Sequence, residues 1–102
     1  MNKDPQITTI VKEILDLIKN ISPGKSVELR VPPYGVIQCV AGSNHRRGTP
    51  PNTVEMSGQT LVRLINDPGL WSALCESGEV RASGLLSDLS DVLVQAAVKY
   101  RA

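Results

Sequence analysis

The pattern that most constrains this chain is an aliphatic stripe close to its start. Ile7, Ile10, Val11, Ile14, Leu17, Ile18 and Ile21 recur at helical spacing, which puts them on one face of a helix over residues 4–21. Six of these seven are β-branched, and β-branched side chains lose rotamer freedom in a helix. Such a helix depends on a surface to pack against. Asp4-Pro5 marks its start: Asp caps, and Pro at the first helical position gives up an amide that has no partner there. Ser22-Pro23-Gly24 stops it.

The surface comes next in the chain. Residues 26–31 (SVELRV) alternate, with Val27, Leu29 and Val31 facing one way and Glu28 and Arg30 the other, as in a half-buried strand. Pro32-Pro33-Tyr34-Gly35 forms a turn. Residues 36–41 (VIQCVA) are apolar on both faces, the signature of a central strand. Residues 42–52 (GSNHRRGTPPN) read as an irregular loop, and Val54 and Met56 mark a short strand over 53–56. A helix after Ser57-Gly58 carries Leu61, Leu64 and Ile65 on one face. Asp67-Pro68 repeats the start signal of Asp4-Pro5 and opens a helix with Leu70, Trp71, Leu74 and Cys75, closed by Gly78 as a left-handed cap. Residues 79–83 (EVRAS) form a strand. Ser87 then caps a last helix to about Tyr100, with Leu86, Leu89, Val92, Leu93, Ala96, Ala97 and Tyr100 as its stripe.

Helices are grouped between strands rather than alternating with them one for one. That order predicts an α+β fold, a mostly antiparallel sheet of about four to five strands covered by helices. At 102 residues the chain is read as a single domain, with an N-terminal helix (1–22), a sheet with inserted helices (26–84) and a C-terminal helix (86–101).

Composition excludes several functions. Eleven Lys and Arg stand against ten Asp and Glu, a net charge of +1, which gives no field to hold nucleic acid by its phosphates. Trp71, Tyr34 and Tyr100 are the only aromatics, too few for a base-stacking platform. No apolar run approaches the roughly 18 residues of a membrane span. The N-terminus MNKDPQ has no apolar core of a secretion signal. Cys39 and Cys75 fit a reduced, cytoplasmic protein, and each sits in an apolar stretch as a small buried hydrophobe would. The 29 Val, Leu and Ile residues must supply nearly the whole core, since Phe is absent.

Few residues offer chemistry. His45-Arg46-Arg47 stands in the loop, where guanidinium groups suit carboxylate or phosphate or form an ordinary solvated surface. One His builds no metal site. Neither GxGxxG nor GxxxxGK[ST] nor GxSxG occurs. No catalytic residues, metal or cofactor are therefore expected. Glu28, Arg30, Glu55 and Arg81 all occupy polar strand positions, where they would make a cross-strand charge ladder of solvent-facing ion pairs.

The segments VELRVPPYGVIQCVAG, NHRRGTPPNTVE and EVRASGLLSDLSDVL resemble the sterol-carrier-like proteins of actinobacteria. The resemblance spans about residues 26–93, and Arg47-Gly48-Thr49-Pro50-Pro51-Asn52 is its most specific part. It implies a sterol-carrier-protein-like α+β fold. The wider family binds lipids, fatty acyl chains or sterols in an apolar tunnel between sheet and helices. That family usually has a helix between its second and third strands, where this chain has the Pro- and Gly-containing loop 42–52.

Three functions follow from these readings. The first is a non-catalytic carrier or binding protein for a small apolar or amphipathic, lipid-like ligand. Its site would lie at Leu61, Leu64, Ile65, Trp71 and Leu74, joined by Thr49, with His45 and Arg47 at the mouth to meet a polar head group. Because most of the aliphatics are needed to seal the fold, that site should be small or shallow, or shared at a subunit boundary. The second is a protein–protein or self-association module, which would make the chain a homo-oligomer. The third is an accessory domain to a thiol-dependent enzyme, or an enzyme acting through the His45–Arg47 loop.

Overall fold

The computed structural model describes residues 3–42 and 52–101. Helix α1 spans Pro5–Ile21 and is capped as its sequence directs, with the Gln6 amide donating to Asp4 Oδ1 at 2.9 Å. The Asp4 amide donates in turn to the Tyr34 hydroxyl at 2.8 Å, which ties the start of α1 to the turn between the first two strands. A stripe of Val11, Ile14, Leu15 and Ile18 is buried. Leu15 joins the core outside the set that the spacing singles out, and Leu17 is only half-buried.

Strands β1 (Val27–Val31), β2 (Gly35–Cys39), β3 (Asn52–Met56) and β4 (Val80–Ser83) form one sheet in the order β2-β1-β3-β4. β1 pairs antiparallel with β2 and β3 with β4, but β1 and β3 run parallel. The expected mostly antiparallel α+β sheet is thus present, with one parallel pairing that makes it mixed. The register explains the parallel pair. Cys39 and Asn52 both lie opposite Val27, on its two sides, so β3 starts at the end of the sheet where β2 finishes and runs back in the direction of β1.

That topology corrects one expectation. The apolar run 36–41 is an edge strand, and the alternating segment β1 is central. The second apolar face of β2 does not buy burial: Val36 is 59% exposed. The run also ends early, because Val40 takes a left-handed backbone (φ 67°) at the strand's end, a conformation that β-branched residues rarely adopt.

Helix α2 (Gly58–Asn66) buries Leu61, Leu64 and Ile65. Its N-terminus is capped by Ser57, whose Oγ accepts from the Thr60 amide. Asp67-Pro68 opens a 3-10 turn (Pro68–Leu70), with the Gly69 amide donating to Asp67 Oδ1, before helix α3 (Trp71–Ser77). Gly78 closes α3 with φ 84°, the left-handed cap its position predicts. The last helix, α4, spans Ser90–Arg101. It starts later than its stripe suggests, because Ser87 does not cap it. The Ser87 hydroxyl donates to the Gly84 carbonyl, and Asp88 Oδ1 accepts the Ser90 amide instead.

The core lies on one side of the sheet. Val27, Leu29, Val31, Val54, Met56 and Val80 are all buried, in one core cluster with the buried residues of the helices. The opposite face carries Glu28, Arg30, Val36, Gln38, Thr53, Glu55, Arg81 and Ser83.

Candidate functional site

Alternation along β1 and β3 and helical spacing along α2 and α3 deliver the same product, an apolar layer between sheet and helices. Of the residues singled out from sequence, Leu61, Leu64, Ile65, Trp71 and Leu74 are all brought together in that layer, Leu61 and Leu64 with no exposed surface. His45, Arg47 and Thr49 lie outside the described residues.

The layer is unevenly covered. Ala82 of β4 stands opposite Val54 in the antiparallel register and therefore shares its face, the helix side. Val54 is fully buried, yet Ala82 is exposed. The helix layer thus covers the middle of the sheet and leaves its β4 border open at Ala82. The turn that follows carries two leucines on the same end: Leu85 is 100% exposed and Leu86 is 39% exposed.

That end is fixed by a residue whose role the sequence pattern did not reveal. Asn52 is buried, and its side chain joins three segments. Its Nδ2 donates to the Ser26 carbonyl at 2.8 Å, and its Oδ1 accepts the Leu86 amide at 3.0 Å. The partners are 26 and 34 residues away, so no local spacing rule could find them. Gly84 belongs to the same device. Its φ is +109°, and a Cβ there would overlap the Asn52 side chain. The end of the RGTPPN segment and the glycine after β4 are therefore parts of one structural clamp.

Two grooves open elsewhere on the described surface. A groove of about 570 Å³ lies between α1 and the end of α4, lined by Glu13, Asp16, Leu17, Asn20, Lys99 and Tyr100. A second, of about 280 Å³, lies at the far end of β3 and β4 and includes Ser57, Thr60, Glu55 and Arg81. Neither is lined by the residues expected from sequence to form the ligand site.

Among the described residues, the two thiols are shifted away from the reactive form. Burial pushes the Cys39 thiol up from 9.0 to about 11. Burial and, second, the nearby Asp88 carboxylate raise Cys75. Both are free thiols, and the upward shifts disfavour the thiolate, the stronger nucleophile. Hydrogen bonds from Ser90 lower Asp88. No group of three or more metal-ligating side chains occurs among the described residues, and no helix among them is long and apolar enough to cross a membrane. On the face opposite the helices, Arg30 is ion-paired with Glu28 and lies 4.0 Å from Glu55, and Glu55 pairs with Arg81 at 2.6 Å. This is the cross-strand ladder that the strand positions suggest.

Comparison with known proteins places this architecture. The fold is similar to that of "UbiJ-SCP2 Ubiquinone synthesis protein", with a TM-score of 0.55 and 15% identity over 100% of this chain and 98% of that one. The sterol carrier protein domain 2 of Helicoverpa armigera is similar at a TM-score of 0.46 and 18% identity, over 96% and 95% of the two chains. No curated protein matches the sequence. The model of the family described as "Bacterial SCP ortholog" matches residues 3–94. With nearly its whole length matched, the chain belongs to that bacterial family of sterol carrier protein orthologs.

Proposed function

We propose that this protein is a non-catalytic binding or carrier protein for a small apolar or amphipathic, lipid-like ligand. Family membership and the sterol-carrier-like fold support the class of function. One observation carries the location: Ala82 faces the helix side of the sheet and is nevertheless exposed. An acyl chain or ring system entering there would meet the apolar layer between sheet and helices, where Leu61, Leu64, Ile65, Trp71 and Leu74 lie. Pockets for such ligands are mostly apolar with few polar groups, and the described layer has that composition. The upward shift of both thiols supports a role without thiol chemistry. In this reading the chain acts as a single domain in the cytoplasm.

A fluorescent fatty acid displaced by unlabelled lipid tests the proposal. Binding is expected at about 1–100 μM, and Ala82→Trp, which fills the open border, should weaken it at least about tenfold while leaving the fold intact. Absence of binding at about 100 μM contradicts the carrier function.

Self-association is a second reading, favoured by the edge strand β2 and its exposed Val36. Light scattering separates the two, since a strict monomer that binds fatty acid supports the carrier alone.

A further inference from the structure

The turn after β4 displays an aliphatic side chain clear of the protein. Leu85 is 100% exposed and its neighbour Leu86 39% exposed. Exposed leucines are common, but this one is held in place. The Leu86 amide is bonded to the buried Asn52, the Ser87 hydroxyl and amide both donate to the Gly84 carbonyl, at 2.7 and 3.2 Å, and Gly84 takes the left-handed backbone that brings the turn round. The fold itself orders the turn, so presenting Leu85 to a partner costs little further ordering.

We propose that the Leu85–Leu86 turn is a wedge that inserts into the surface of a lipid bilayer. This rests on the carrier reading for its purpose: the wedge follows Ala82 by three residues in the chain and would hold the open border near the bilayer from which a lipid-like ligand leaves or enters. Size favours a bilayer over a second copy of the chain. Two leucine side chains offer on the order of 200 Å² of apolar surface, well below the roughly 800 Å² per partner of a stable protein interface. Insertion into a bilayer needs only the area of the inserted side chains, and the flanking Ser83, Gly84 and Ser87 add no charge to be desolvated. Of the two charges nearest in sequence, Arg81 is paired with Glu55 and Asp88 is turned to the start of α4 by its bond with the Ser90 amide.

The test is flotation of the full chain with phosphatidylcholine vesicles. The unmodified protein is expected to float with them, and Leu85→Asp to lower the partition coefficient about 10- to 100-fold, the factor that corresponds to one buried leucine. Val36→Asp, at a valine that is 59% exposed on the other face of the sheet, should leave it unchanged. Leu85→Trp should shift its emission to shorter wavelength on adding vesicles. Trp71, already buried, should not shift in the unmodified protein. Absence of flotation, or equal loss in Leu85→Asp and Val36→Asp, overturns the wedge. Fatty-acid displacement in vesicle-free solution tests the carrier reading alone, and Leu85→Asp should bind the soluble ligand as the unmodified protein does, so the two proposals fail separately.

Discussion

The two faces of the sheet are made from the same strands and do different work. On the helix side, Val27, Leu29, Val31, Val54, Met56 and Val80 lose nearly all contact with water. On the other side, Arg30, Glu55 and Arg81 stand in one row across β1, β3 and β4, paired but solvated. Alternation of one residue decides which side a position serves. The difference teaches where stability resides. Burial of a leucine or valine side chain contributes about 1.5–3 kcal/mol, whereas an exposed ion pair contributes about 0–1 kcal/mol. The helix side holds the fold, and the other side is free to change.

Substitutions on the two faces and at their common border should break or sharpen that contrast. The largest effect is expected at Leu64, fully buried on α2: Leu64→Ala should cost about 2–5 kcal/mol in urea unfolding through lost contacts and the cavity left behind. A cost below about 1 kcal/mol would mean that the layer is loosely packed or already hollow. Next comes the clamp. Asn52→Ala leaves the Ser26 carbonyl and the Leu86 amide without their buried partner and should cost about 1–3 kcal/mol, with amide exchange faster at Leu86. The smallest effect belongs to the outer face. Arg81→Ala removes the pair with Glu55 on an arginine side chain that is 70% exposed and should change stability by about 1 kcal/mol or less. A larger loss would show that the charged row holds the sheet together after all.

Much of this division could be read from the chain, and the exceptions have physical causes. The caps at Asp4 and Gly78 were legible because capping is local. The inward set of β1 was legible because its polar and apolar residues alternate. The place of β2 was not. VIQCVA is apolar on both faces, but a run of that kind says nothing about how many neighbours a strand has, and the parallel return of β3 beside β1 left β2 at the edge. Leu15 was missed because α1 packs against both the sheet and two other helices, so its buried face is wider than one stripe. In the candidate site, the burial of Leu61, Leu64, Ile65, Trp71 and Leu74 follows from helical period. The open border does not, because Ala82 sits in a four-residue strand whose pattern carries no record of where the helix layer stops. The bonds of Asn52 reach across 26 and 34 residues and exist only once the strands have paired.

The most direct test of the whole account is a fatty-acid titration followed by backbone amide chemical shifts. If the ligand enters between helices and sheet, the shifts should concentrate on the helix side of the β4 border, at Val54, Ala82, Leu86 and the α2 residues near Leu64, with Arg30, Gln38 and Arg81 little changed. Shifts concentrated on the charged outer face, or in the groove between α1 and α4 at Leu17 and Tyr100, would contradict it.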